Sequence, residues 1–283
     1  MTEPFPTEFW HEPEFTTILP GLLAAHLLGD FVFQTERGIE ARRAGRPGVL
    51  GRHALLHAVL AWLLVGIVPL LIVPVVIFVT HGLIDAGKRI LERRVAEPGA
   101  PASRRLALLA ADQGAHLLVI VLLTLALARW PILWFRISPE EASQWLTLFG
   151  PGWLSVLITI SGAILAIRVG AIVIAMASTP FLGQLEAHRG DAGSQTLPAR
   201  GFEKGGHVIG QLERTLIFLM VLTGHGVGVG ILVAAKAVFR FGELREPGQR
   251  MEAEYILIGT LMSFAWALLW SWLTVQLLGG PIG

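Results

Sequence analysis

Residues 106–127 read LALLAADQGAHLLVIVLLTLAL. A run of this length and apolarity is what a membrane-crossing helix requires, about 20 residues at 1.5 Å rise each. Helix is the form that satisfies every backbone N–H and C=O within one segment, which lipid demands. Yet the run carries Asp112, Gln113 and His116. Ionisable groups inside such a segment are costly and mark function or pairing. Asp112 and His116 stand four residues apart, so both project from one helix face.

Reading outward, six further apolar runs cover residues 15–34, 50–66, 68–90, 153–178, 211–235 and 255–278. The composition agrees: 53% hydrophobic residues, 15% charged and a mean hydropathy of +0.63. Soluble domains carry about 25% charged residues. A secreted soluble enzyme, a coiled coil and a disordered chain are thereby excluded. The chain has no cysteine, which removes disulfides, thiolate metal sites and Cys nucleophiles. A net charge of +1 gives no footprint for nucleic acid. The expected fold is all-α: a polytopic transmembrane bundle of about seven spans with an N-terminal four-helix polar core. Residues 1–14 form an outer segment and 15–128 the His/Asp-rich membrane domain. Residues 129–152 form a linker with an interfacial helix, and 153–283 a Gly-rich membrane domain.

Lys and Arg placement orients the spans, since cytoplasmic loops are enriched in them. Residues 1–14 hold four Glu and no Lys or Arg, and Met-Thr-Glu-Pro at the start lacks the basic region of a secretory signal. The 35–52 loop holds Arg37, Arg42, Arg43, Arg46 and Arg52, and the 88–105 segment holds Lys88, Arg89, Arg93, Arg94, Arg104 and Arg105. The N-terminus is therefore expected outside a bacterial inner membrane. Trp130, Trp134, Trp145 and Trp153 would belong to the outer aromatic belt. A seven-span count conflicts with the rule later on. It puts Lys236, Arg240, Arg245 and Arg250 outside, so either this segment is special or a span is miscounted.

The Asp112/His116 spacing recurs. The first span has His26 and Asp30, the second His53 and His57, the third His81 and Asp85. Alternating span direction puts all four pairs at one depth, on the cytoplasmic side. Five imidazoles and three carboxylates in a four-helix bundle point to a divalent metal, with zinc first and manganese or iron as alternatives. The candidate ligands are His26, Asp30, His53, His57, His81, Asp85, Asp112 and His116. His57 and Asp112 are the first candidates for groups that orient ligands instead. Two ions about 3.5–4 Å apart would clamp a phosphoryl group and activate a water. The alternative for each pair is a helix–helix hydrogen bond, and for the set a proton relay or a structural polar network.

Gln34, Lys88 and Gln113 extend these faces as candidate substrate-binding groups. Lys88 would meet a phosphate as a point charge; the plainer reading makes it a positive-inside anchor. In the C-terminal half, His207, Gln211 and Arg214 share a helical face, and Arg214 is a further substrate-binding candidate against an interfacial cap. Arg168 lies deep enough to need a partner, for which Glu213 is one choice. Gly224, Gly226, Gly228 and Gly230 flank His225 and suit close helix packing or self-association as a homo-oligomer.

The ordered motifs His26-x3-Asp30-Phe-x-x-Gln34, His53-x3-His57, His81-x3-Asp85-x-x-Lys88 and Asp112-Gln113-x-x-His116 resemble a bacterial integral membrane family known as domain of unknown function 3307. The later runs 209–214, 234–241 and 255–260 look like the C-terminal half of its longer members. The resemblance implies the architecture and the polar sites and carries no settled activity. A looser similarity is to inner-membrane metal-dependent hydrolases, and through them to zinc phospholipase C and P1-type nucleases. Those also use several His and Asp on helices, which is an analogy of chemistry.

The leading expectation is a membrane-embedded metal-dependent hydrolase acting on a phosphoester, lipid-linked or soluble. Asp30, Asp85 and Lys88 are the catalytic candidates, with a metal-activated water as nucleophile. A transporter or channel for protons, metal ions or small anions is the alternative, and a structural or signalling scaffold the third. The expected partners are the lipid bilayer and a small-molecule or lipid substrate.

Overall fold

The computed structural model describes residues 13–43, 46, 48–67, 69–95, 101–130, 144–191, 205–243 and 250–282. Among them every regular element is helical. The order is α1 (Pro13–Phe31), α2 (Glu36–Arg43), α3 (Val49–Val65), α4 (Ile72–Val95), α5 (Ala102–Arg129), α6 (Gln144–Phe149) and α7 (Gly152–Ala163). A π-helical turn at Ile164–Val169 precedes α8 (Gly170–Asp191), α9 (Gly205–Leu222), α10 (Gly226–Glu243) and α11 (Arg250–Leu278). Among the described residues three helices are long and apolar enough to cross a membrane: Ala102–Arg129, Gly152–Ala187 and Met251–Leu278. Shorter apolar helices run Ile18–Phe31, Val49–Val65 and Gly226–Lys236.

Two compact units divide the chain, Met1–Ala100 with Ala107–Ser161, and Pro101–Leu106 with Gly162–Gly283. In the first unit, α1 and α3 approach at backbone distance. A Cβ on Gly21 would lie 3.1 Å from Leu64 O and Val65 N. Their apolar ends join α4 and α5 in a closed core of Ile18, Leu22, Ala61, Val65, Leu70, Val73, Ile77, Ile120, Leu123 and Leu127. Gly66, in the left-handed conformation at φ 71°, stops α3. The carbonyls left over at that end are capped by α6: Gln144 N–H donates to Gly66 O at 2.9 Å, and Trp145 Nε1 donates to Leu63 O. Trp145 also stacks with Phe149 and Trp153 in an aromatic cluster. The remainder of the expected linker, residues 131–143 with Trp134, lies outside the described residues, as do residues 1–12.

In the second unit, α11 packs against the π-helical turn. Two carbonyls of that turn, both also reached by Gly170 N–H, accept side chains as well: Trp266 Nε1 donates to Leu165 O at 2.8 Å, and Arg214 Nε to Ile167 O at 3.3 Å. Gly162 and Gly170 make the approach feasible. A Cβ on either would fall within 3 Å of Thr274 or Trp266.

The expected single span over residues 211–235 is corrected here. The helix ends at Leu222, and Gly224 takes φ 75°. His225 N–H bonds back to Met220 O at 2.7 Å and Gly224 N–H to Val221 O at 3.2 Å. This paired pattern is the Schellman stop signal. The chain then reverses. Val229 packs with Ile217, Lys236 Nζ sits 2.6 Å from Glu213 Oε2, and Gly228 leaves room for Met220. An apolar window reads straight through this point because Thr223–His225 is too short to lower its average. Glu213 therefore serves Lys236.

The reversal puts both ends of the hairpin on one side. Single cysteines replacing Val208 and Val238, in a chain naturally free of cysteine, are expected to react with an impermeant maleimide from the same face of sealed vesicles. Labelling from opposite faces would restore the single span.

Candidate metal centre

Helices α1, α3, α4 and α5 each bring one i, i+4 pair to the interior, and they alternate in direction. The result is two layers. His26, His57, His81 and His116 form an imidazole layer next to the apolar core. Asp30, His53, Asp85 and Asp112 form a layer one helical turn nearer the loops. Rings in the first layer touch: His57 and His81 stack at 3.7 Å between centroids, His81 and His116 lie at 4.3 Å, and His26 and His116 at 4.9 Å. His57 is 1% exposed, and His81, His116, Asp85, Asp112 and His26 are buried.

The layers interlock at Asp30. Its Oδ1 lies 3.1 Å from His53 Nε2, 3.2 Å from His57 Nε2 and 4.0 Å from His81 Nε2. Asp85 Oδ2 lies 3.7 Å from His53 Nε2 and 3.8 Å from His81 Nε2. Two donor sets emerge, Asp30–His53–His57–His81 and His81–Asp85–His116, with ligand atoms of each within 4.8 Å of one another. His81 is common to both. Two atoms bound about 2 Å from a tetrahedral ion are separated by about 3.3 Å, so these spacings are close to a coordination shell.

The hydrogen bonds fix which ring atoms are available. His116 Nδ1 lies 2.9 Å from the Asp112 carbonyl, which only accepts, so Nδ1 carries the proton and Nε2 a lone pair. The Nε2 atoms of His57, His81 and His116 are buried without a hydrogen-bond partner among the described residues. His57 Nε2 is near Asp30 but off the line a hydrogen bond needs. An unsatisfied buried polar atom costs about 1–3 kcal/mol, and three are a large share of the roughly 5–15 kcal/mol that holds a protein folded. Such atoms suit ligation.

Gln113 connects the layers. Its Nε2 donates to Asp30 Oδ2 at 3.0 Å and reaches Asp112 Oδ2 at 3.3 Å. Two carboxylates fix which end of the amide is nitrogen, so Oε1 accepts from His26 Nε2 at 3.1 Å. His26 thus presents a proton, not a lone pair, through Nε2. Asp112 is held by Lys88, whose Nζ donates to Oδ2 at 2.6 Å. Of the sequence candidates, Asp30, His53, His57, His81, Asp85 and His116 fall in the two donor sets. His26, Gln113, Asp112 and Lys88 form the adjoining network. Gln34 follows the end of α1. Arg214 belongs to the second unit, buried, with Nη1 donating to Ser263 Oγ at 2.9 Å.

Residues 18–138 match the family model described as protein of unknown function (DUF3307). The resemblance read from the four motifs is borne out over that stretch, which contains all ten of the residues just placed in the donor sets and the network. No curated protein and no solved structure matches the chain.

Gly29 was not singled out by sequence. A Cβ there would lie 2.3 Å from His57 Cε1, so only glycine lets the imidazole layer close against α1. The available signal was Gly21 and Gly29 at a spacing of eight, one face of the helix. Gly29→Ala is expected to push His57 aside at a cost of about 1–3 kcal/mol, seen as a lowered thermal midpoint in detergent. Gly87→Ala, whose Cβ meets nothing within 4 Å, is the control expected to leave it unchanged.

Proposed function

We propose that the chain is a membrane-embedded metal-dependent hydrolase whose His/Asp centre opens to the cytoplasmic side. The observation that carries the reading is the pair of donor sets sharing His81, in which the Nε2 atoms of His57, His81 and His116 have no hydrogen-bond partner among the described residues. A nitrogen and carboxylate set suits zinc, with manganese or iron as alternatives. Asp30, His53, His57, His81, Asp85 and His116 would hold the ion or ions. A divalent ion there supplies Lewis acidity and lowers the pKa of a water. Lys88, about a third exposed at its side chain and already paired with a carboxylate, would bind an anionic group of the substrate by exchanging Asp112 for it. A phosphoester, lipid-linked or soluble, has the charge this demands. Gln113 keeps Asp30 and His26 oriented.

The same geometry favours hydrolysis over passage of ions. On the far side of the imidazole layer the bundle is filled by Leu22, Ile18, Val65, Leu127 and their neighbours, nearly all fully buried. A conducting path needs polar or hydrated lining, and the buried polar side chain described in this half, Thr124, spends its hydroxyl proton on Ile120 O at 2.9 Å.

Elemental analysis of the purified protein is expected to give stoichiometric divalent metal. His81→Ala should abolish it, and Gln113→Leu should weaken it by about 10–100-fold. Hydrolysis of bis(p-nitrophenyl) phosphate should follow metal content and stop on chelation. Trace metal that His81→Ala does not change would count decisively against the centre. Ion flux through proteoliposomes without turnover would put transport in its place.

The hairpin supports eight crossings: α1, α3, α4, α5, the α7–α8 rod, α9, α10 and α11. Helices α9 and α10, 18 residues each, are about 27 Å long, near the thickness of the hydrocarbon layer. This count returns Lys236 and Arg250 to the inner face, in keeping with the positive-inside rule. Cysteines at Arg46 and Val238 should be protected from impermeant reagent in intact bacteria, while one at Leu148 reacts. The reverse pattern would invert the topology.

A further inference from the structure

A cavity of about 20 Å³ lies against the imidazole layer on its apolar side. All four rings of that layer line it, and none of the three carboxylates does. Its other walls include Leu22, Ala61, Ile77 and Ile120, all members of the dry core, with Thr80 at one side. The Thr80 hydroxyl gives its proton to Val76 O at 2.7 Å, which leaves its oxygen lone pairs as the polar feature it can offer the cavity. A water needs roughly 10–15 Å³ of such space. The volume therefore admits one water or one ligand of two non-hydrogen atoms, and nothing of the size of a phosphate or an imidazole ring.

We propose that this cavity is a size-limited ligand position of the metal centre, taking water or a diatomic ligand on the histidine side, while larger anionic groups meet the centre only from the Asp30–Lys88 side. The proposal rests on the metal reading above. Three observations converge on it: the bare Nε2 atoms belong to three of the lining residues, His57, His81 and His116; the lining apart from the four rings and Thr80 is apolar; and the protons of His26 Nε2 and Thr80 are both engaged elsewhere. A bulky or multiply charged guest would have to displace core side chains that are less than a tenth exposed.

The experiment uses the full-length protein in detergent, loaded with cobalt(II), whose visible spectrum reports its ligands. Cobalt uptake is measured first. Cyanide is then expected to shift the spectrum at millimolar concentration, whereas imidazole leaves it unchanged at about ten times that level. Phosphate is expected to act, if at all, only in protein that retains Lys88 and to lose its effect in Lys88→Met. Ala61→Val narrows the cavity by two methyl groups and should weaken the cyanide response by at least about tenfold with cobalt content unchanged. The wild-type ligand series decides the matter even if that variant fails to fold. No cobalt uptake overturns the metal centre and this position with it. Full uptake with no cyanide response, or with an equal response to imidazole, overturns the cavity proposal alone.

Discussion

Polar side chains placed in the interior of an apolar helical bundle must find partners, and the first unit is organised by that requirement. Eight ionisable groups from four helices cannot be left singly in lipid or in an alkane-like core. The antiparallel alternation of the helices is what lets them meet. It delivers one residue of each i, i+4 pair to a common level and its mate to the next. The close approach of α1 and α3, permitted by Gly21 and Gly29, then brings the rings into contact. Asp30 acts as the pivot because its Oδ1 faces three imidazoles while its Oδ2 accepts from Gln113.

Satisfaction of these groups is uneven, and the unevenness carries the chemistry. Lys88, Asp112, Gln113 and His26 form a connected chain with each proton assigned. The Nε2 atoms of His57, His81 and His116 are left without a hydrogen-bond partner among the described residues. A purely structural network would be expected to consume both kinds of group, since a half-satisfied polar network is worse than an apolar core. Among the described residues the atoms left over are three imidazole nitrogens and, on the supporting chain, Asp112 Oδ1, a distribution that fits the proposed ligand shell.

Much of this was legible from residue spacing. The four pairs, their shared depth and the helical class follow from 3.6-residue periodicity and span alternation alone. The order of residue types within the pairs also stands in the sequence: histidine lies on the inner side of each pair once the helix directions are assigned. It became meaningful only with the cavity beside it. Gly29 was illegible because its importance lies in what a neighbouring helix places opposite it. The hairpin at Gly224 was hidden for a different reason: hydropathy averages over about 20 residues, whereas a Schellman stop is made by two hydrogen bonds and one positive φ. Arg214 looked like a site residue because it shares a helical face with His207 and Gln211. In the second unit a π-helical turn supplies a neutral carbonyl and Ser263 a hydroxyl instead.

The tightly packed apolar half of the first unit has an electrical consequence. A transmembrane voltage falls across the part of a protein that excludes water and mobile ions, at about 2.3 kcal/mol per charge per 100 mV for a full crossing. With Leu22, Ile77 and Ile120 closing one end of the polar layers, most of that drop lies beyond the histidines. In the proposed orientation the centre would stay close to the potential and the proton activity of the single compartment it opens to, and its charge state would be insulated from the energised state of the membrane around it.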